Sequence, residues 1–335
     1  MTPGPSAVPG PGGTVAISDS NAHHMRAVSS GTYVENLNLS PSPTAQPLHQ
    51  LPAPPPDFTG RTAELEKLVN AIHSSASSAT AGAVLNGING MGGVGKTALA
   101  LRLARDLTPD YPDAQLFFDL RGVSDAGLGT GPATPEEAIQ HVLRAFLGLD
   151  ARLPNDLPNL QSLYRNLLTE FVAAGHHALI LWDNARNADQ VLPLTPPPGC
   201  LMLVTSRRAF TLAGMTTKRV DQLPLADAKD LLRAIVGGKG RTLSDDQAGS
   251  IAELCGRLPQ ALRLAGGALA NRRDVSADDL VQRLGDLDER LKTLDAYKDD
   301  SGERSLRASM EMTEALLPEP LGPPVAFARC VPPRF

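Results

Sequence analysis

The sequence predicts an α/β fold, a parallel sheet with helices on both faces, followed by an all-helical region. Three observations carry that expectation. A glycine-rich loop, Gly90-Met91-Gly92-Gly93-Val94-Gly95-Lys96-Thr97, sits between a short apolar strand and a helix. Further apolar runs of strand length alternate with helical patterns as far as Leu223. From Leu225 onward the apolar periodicity is helical alone.

Taken in order, Met1–Gly13 is rich in Pro and Gly and is expected to be disordered. Thr14–Ser40 is polar, and the alternation around Tyr33–Leu39 permits one short strand. Pro41–Pro56 reads as an extended proline-rich linker. Order is expected from Asp57. Thr62 reads as an N-cap ahead of the stripe Leu65, Leu68, Val69 and Ile72, with a Ser/Ala-rich loop over Ser74–Gly82. Strands are expected at Ala83–Ile88, Ala114–Leu120, Ala178–Trp182 and Leu201–Val204, with a short fifth at Lys218–Leu223. Helices are expected at Ala98–Leu107, after the Thr134-Pro135-Glu136-Glu137 start, and over Leu157–Ala174. Four more follow at Ala226–Ile235, Ser244–Cys255, Leu258–Ala270 and Ser276–Leu284.

Composition narrows the function classes. A chain of 335 residues suggests about two domains. The net charge of −5, with no basic stripe, argues against direct nucleic-acid binding through phosphate contacts. Three cysteines, Cys200, Cys255 and Cys330, lie far apart with no Cys/His cluster, so neither a zinc site nor a disulfide framework is supported. A reducing, cytoplasmic location is expected, with no signal peptide and no membrane span. The His23-His24 pair is read as incidental.

The glycine loop is a P-loop by its residues and its context. Its glycines let the backbone turn sharply and aim N–H groups at phosphate oxygens, and the following helix adds the positive end of its dipole. Lys96 places a compact charge on the β- and γ-phosphates, and Thr97 offers its hydroxyl to Mg²⁺. A chance match in a chain this long is expected about once in a hundred. In open parallel sheets, ligands bind beyond the carboxyl ends of the strands. Asp183 ends the apolar run ALILW, as a Walker B carboxylate holding Mg²⁺ would. Alone, it is equally a helix-capping Asp; the P-loop upstream favours Walker B. Arg207 ends the next strand, where a guanidinium can reach a γ-phosphate; a solvated surface Arg is the alternative, and Arg208 reads as one. Asn184 follows Asp183 where many hydrolysing relatives of this arrangement carry a second acid. It can orient a water but cannot take its proton, so slow turnover or tight retention of ADP is expected.

These motifs together resemble those of the NB-ARC, or STAND, class of signal-transducing ATPases, most closely the bacterial members found in SARP-type transcriptional regulators. PPPDFTGRTAEL is similar to the family's opening motif, whose Arg (here Arg61) lies against the nucleotide. GINGMGGVGKTALA resembles its P-loop, with Gly90, Gly92, Gly93, Val94, Gly95, Lys96, Thr97 and Ala98 around the phosphates. ALILWDNA resembles its Walker B and CLMLVTSRR its sensor strand. LCGRLPQALRLAG is similar to its Gly-x-Pro segment, which places Pro259 near adenine and ribose; Gln260 stands where Leu is usual. The resemblance covers roughly Pro54–Leu317. It implies a P-loop NTPase domain over 57–224, a helical ARC-type domain over 225–300 and the opening of a winged-helix domain within 301–335, the 1–56 segment being weakly ordered. Ser305–Leu317 resembles that opening, whereas Pro318–Phe335 turns proline-rich and departs from it, as in a truncated or frame-shifted product. The resemblance also implies ATP, ADP and Mg²⁺ as ligands. On the same resemblance, ADP is expected to lock a closed state and ATP exchange to open it toward self-association or a protein partner.

Three functions compete at this point. The first is an ATP/ADP-binding regulatory switch with weak hydrolysis. The second is a dedicated P-loop ATPase or kinase, which Asn184 disfavours. The third is a protein-interaction scaffold in which nucleotide is structural.

Overall fold

The computed structural model describes residues 24–29, 32–38, 48–76, 84–122, 131–272 and 274–285. Expectations placed on Met1–Gly13, on residues 77–82, on Cys330 and on Ser305–Leu317 lie outside the described residues.

The first elements among the described residues form a hairpin, β1 (His24–Ser29) paired antiparallel with β2 (Thr32–Asn38), where one strand was expected. Helix α1 (Thr62–Ala76) follows, then β3 (Val84–Asn89), α2 (Lys96–Asp106) and β4 (Ala114–Asp119). Next come α3 (Pro135–Leu147), α4 (Leu157–Ala173), β5 (Ala178–Ala185), the short α5 (Ala188–Val191), β6 (Cys200–Ser206) and β7 (Met215–Arg219). Helices α6 (Leu225–Gly237), α7 (Asp245–Leu254), α8 (Pro259–Asn271) and α9 (Ala277–Gly285) complete the described chain.

β4, β5, β6, β3 and β7 form one parallel sheet in that order. β5 and β6 are apolar until they near their carboxyl ends because both faces are covered, whereas β3 carries Asn86 in mid-strand. Alternate side chains separate cleanly: Leu179, Leu181, Leu201 and Leu203 face α1, α2 and the C-terminal helices. Ile180, Trp182, Met202 and Val204 face α3 and α4. The first apolar cluster runs without a break from the sheet into α6, α7, α8 and α9. Cys200 and Cys255 are buried free thiols, and burial pushes the Cys200 pKa up to about 12.

Local chemistry sets the ends of the elements. Thr134 caps α3 by accepting the Glu137 N–H, with Pro135 in the first turn. Ser244 and Gln247 form a reciprocal capping box on α7. Two expectations are corrected. Thr62 is the first residue of α1 rather than its cap: Arg61, at φ +58°, gives its carbonyl to Leu65 N–H. The fifth strand is Met215–Arg219, earlier than expected and polar. As an edge strand it pairs only with β3, so one flank and much of its surface meet water, and apolar patterning does not mark it.

The chain crosses from β3 to the far edge at β4, steps back through β5 and β6, then passes β3 to reach β7. Loops therefore diverge above the carboxyl ends of β3, β5 and β6, which opens a crevice there. Residues 48–50 pair along the outer edge of β4: Gln115 N–H donates to Leu48 O at 2.6 Å and Gln50 N–H to Gln115 O at 2.7 Å. The following prolines cross above the strands to Asp57, which receives a two-pronged ion pair from Arg263 of α8 at 2.8 and 3.0 Å. No helix among the described residues is long and apolar enough to cross a membrane.

Leu181 is fully buried at the centre of the sheet. Leu181→Ala is expected to lower the unfolding free energy by about 2–5 kcal/mol in a urea titration. A loss below about 1 kcal/mol would contradict the two-sided core.

Candidate nucleotide site

The crevice is a cavity of about 600 Å³, within the usual span of small-molecule sites. From the P-loop and the start of α2, Gly92, Gly93, Gly95, Lys96, Thr97 and Ala98 line it. Asp183 and Asn184 of β5 and Arg207 after β6 close the same space. The other side is walled by Ala53–Pro56 and by Gln260 and Arg263 of α8.

The loop needs its glycines for two different reasons. Gly93 and Gly95 sit at φ +76° and +92°, a region that costs other residues steric strain. Gly90 is also a close approach: a Cβ there would stand 2.5 Å from the Val220 carbonyl oxygen. Lys96 Nζ donates to Met91 O at 2.8 Å, so its ammonium is held over the loop. Burial, then the nearby Arg207 charge, lowers its pKa to about 8, against the pull of Asp183.

Asp183 is buried, and its Oδ1 accepts hydroxyl bonds from Thr97, at 2.8 Å, and from Thr205. Burial raises its pKa, while the two hydroxyls and Lys96 oppose the shift and Asp119 adds to it. Carboxylate and hydroxyl oxygens side by side suit Mg²⁺, a hard cation that takes one or two protein oxygens and keeps several waters. Asn184 is at φ +57°, where the β5–β6 register slips between Trp182 and Ala185. Its N–H donates to Thr205 Oγ1 at 2.8 Å, and its amide Nδ2 donates to Asp119 Oδ1 at 3.4 Å.

Four expected residues stand behind the loop rather than on the cavity wall. Arg61 is buried and donates to Val94 O at 3.1 Å, to Asp221 O at 2.6 Å and to Glu64 at 2.7 Å. Its guanidinium thus backs the P-loop, with Val94 as one of its acceptors. Pro259, the first residue of α8, packs against Gly95, and Gln260 N–H donates to Gly93 O at 3.3 Å. Arg61, Pro259 and Gly95 border a small adjoining cavity together with Leu223 and Leu231. Gly90 lies against Val220, away from the main cavity. Arg208 is exposed, as expected.

Two residues were not singled out from the sequence. Thr205 bonds both Asp183 and Asn184, and the one sign of it was a polar residue ending an apolar strand. Asp119 ends β4 directly opposite Asp183 and lines the cavity. Thr205→Val removes one donor to Asp183 and leaves the Asn184 N–H without its acceptor. A loss of about 1–3 kcal/mol in urea unfolding is expected, with most of it restored in Thr205→Ser. Equal stability of the Val and Ser variants would contradict the role given to the hydroxyl.

Comparison with known proteins places these residues in a lineage. No protein-family model matches the chain. Over 265 residues it is 37% identical to the regulatory protein AfsR of Streptomyces griseus, covering 78% of this chain and 25% of that protein. AfsR of Streptomyces coelicolor is 37% identical over 268 residues, with the same coverage of 78% and 25%. The chain thus spans about a quarter of the length of these relatives. Among solved structures it is similar to a STAND protein with a tetratricopeptide repeat sensor from Pyrococcus horikoshii, at 18% identity and a TM-score of 0.42, covering 70% of this chain and 33% of that one. It is also similar to a Walker-type ATPase of Pyrococcus abyssi, at 14% identity and a TM-score of 0.46, covering 79% and 92%. With its P-loop at the head of a parallel sheet, the chain is similar over most of its own length to a segment of the AfsR regulatory proteins.

Proposed function

We propose that this chain is an ATP/ADP-binding regulatory switch that hydrolyses ATP slowly and rests with ADP bound. The observation that supports it most is the convergence of Lys96, Thr97, Asp183 and Arg207 on one cavity at the carboxyl ends of the strands. In this reading the P-loop N–H groups and Lys96 hold the phosphates. Thr97 and Asp183 hold Mg²⁺, which neutralises phosphate charge when bound. Arg207 detects the γ-phosphate.

Residues 57–224 act as the nucleotide-binding unit and 225–300 as the helical unit that reads it. Their coupling runs through Pro259 and Gln260, which touch Gly95 and Gly93 of the P-loop. A ligand that shifts the loop therefore favours one seating of α8 over another, as a population shift requires. The Asp57–Arg263 ion pair holds the chain before α1 to the same helix, so closure over ADP engages both walls of the cavity. Opening after exchange frees surface for a protein partner or a second copy.

Slow hydrolysis follows from Asn184, which has no carboxylate to take a proton from water. ATP affinity measured by calorimetry with Mg²⁺ is expected to fall at least about a hundredfold in Lys96→Ala, through loss of a desolvated phosphate contact. Unchanged affinity would overturn the pocket assignment. Asn184→Asp is expected to raise turnover by about tenfold or more in a phosphate-release assay. No gain would place the source of slow turnover elsewhere.

A further inference from the structure

Asn184 leaves the proposed hydrolysis without an acid beside Asp183, and the neighbouring strand offers one. β4 and β5 run parallel with Asp119 opposite Asp183. The backbone after Asp119 is locked to the Asp183–Asn184 bend: Leu120 N–H donates to Asp183 O at 2.8 Å and Gly122 N–H to Asn184 O at 2.7 Å. Gly122 makes this approach possible, since a Cβ there would stand 2.3 Å from Arg186 N and 2.4 Å from Asn184 O. The far side is pinned by buried Gln190, whose Nε2 donates to Leu120 O at 2.9 Å and Ala133 O at 2.7 Å. The Asp119 carboxylate is therefore placed by the sheet, not by a free loop. It lines the nucleotide cavity, and its Oδ1 accepts from Arg121 N–H at 2.8 Å and from the Asn184 amide at 3.4 Å.

Resting on the nucleotide reading above, we infer that Asp119 is the catalytic carboxylate of this site, acting with Asn184 on the attacking water. Asn184 orients the water through its amide. The water oxygen forms a bond to the γ-phosphorus, and the bond from that phosphorus to the β,γ-bridging oxygen breaks. The electron pair leaves with ADP. The water proton passes to the Asp119 carboxylate and from there to solvent. An acid that reaches the water from the adjacent strand, rather than from the residue after Asp183, fits a site that turns over slowly.

The test exchanges the two groups. Asp119→Asn keeps an oxygen for the Arg121 N–H and is expected to reduce ATP turnover by about a hundredfold. Its dissociation constants for ATP and ADP with Mg²⁺, measured by calorimetry, are expected to stay within about threefold of the wild type. The double variant Asp119→Asn with Asn184→Asp moves the acid by one position and is expected to recover turnover to the wild-type level or above. Turnover unchanged in Asp119→Asn would overturn the assignment, as would a loss that the double variant fails to recover, which marks a structural role. A wild-type protein that binds ATP but never hydrolyses it also overturns this assignment while leaving nucleotide binding intact. A wild-type protein that binds no nucleotide instead overturns the underlying reading, so the two failures are distinguishable.

Discussion

The site depends on one buried carboxylate held by two hydroxyls. Asp183 sits on β5, Thr97 on α2 behind the P-loop strand, and Thr205 on β6 between them in the sheet. The P-loop strand and the Asp183 strand are not neighbours; β6 separates them. Without the two hydroxyls, a buried carboxylate would be expensive to keep in place. With them, loop, carboxylate and β6 share one fixed frame, and the same hydroxyl of Thr205 holds the bend at Asn184. Chemistry at this point is therefore a property of the sheet's strand order as much as of any motif.

The rear of the P-loop is as constrained as its front. Arg61 bonds the Val94 and Asp221 carbonyls, so one guanidinium joins the chain before α1, the loop and the segment after β7. Pro259 and Gln260 press α8 against the loop from another side. The helical region also shares the apolar cluster of the sheet, so its seating is not independent of the loop. On the proposed reading, a phosphate-dependent movement of the loop would act on α8 through these contacts.

Much of this was legible in the sequence, and the rest was not for identifiable reasons. ALILWD announced both a buried inner strand and the acid near its carboxyl end, because a strand covered on both faces is apolar until it reaches the crevice. The P-loop was legible because glycine, lysine and threonine are each demanded by local geometry. β7 was misplaced because an edge strand carries no such signal: MTTKR reads as loop. Thr62 was read as a cap from residue preference, but the Asp227 carboxylate accepts the Arg61 N–H and Arg61 takes the capping place at positive φ. Asp119 was invisible as a site residue because only the register of β4 against β5 brings it to the cavity. Arg61 was legible as important, but its direction, onto the Val94 carbonyl of the loop and the Asp221 carbonyl after β7, was not.

The most direct test of the account is the nucleotide carried by the purified protein, released by denaturation and separated by chromatography. The account predicts ADP at close to one per chain, held in the cavity that Lys96, Asp183 and Arg207 line. A protein that purifies empty and then binds neither ATP nor ADP with Mg²⁺ would contradict it.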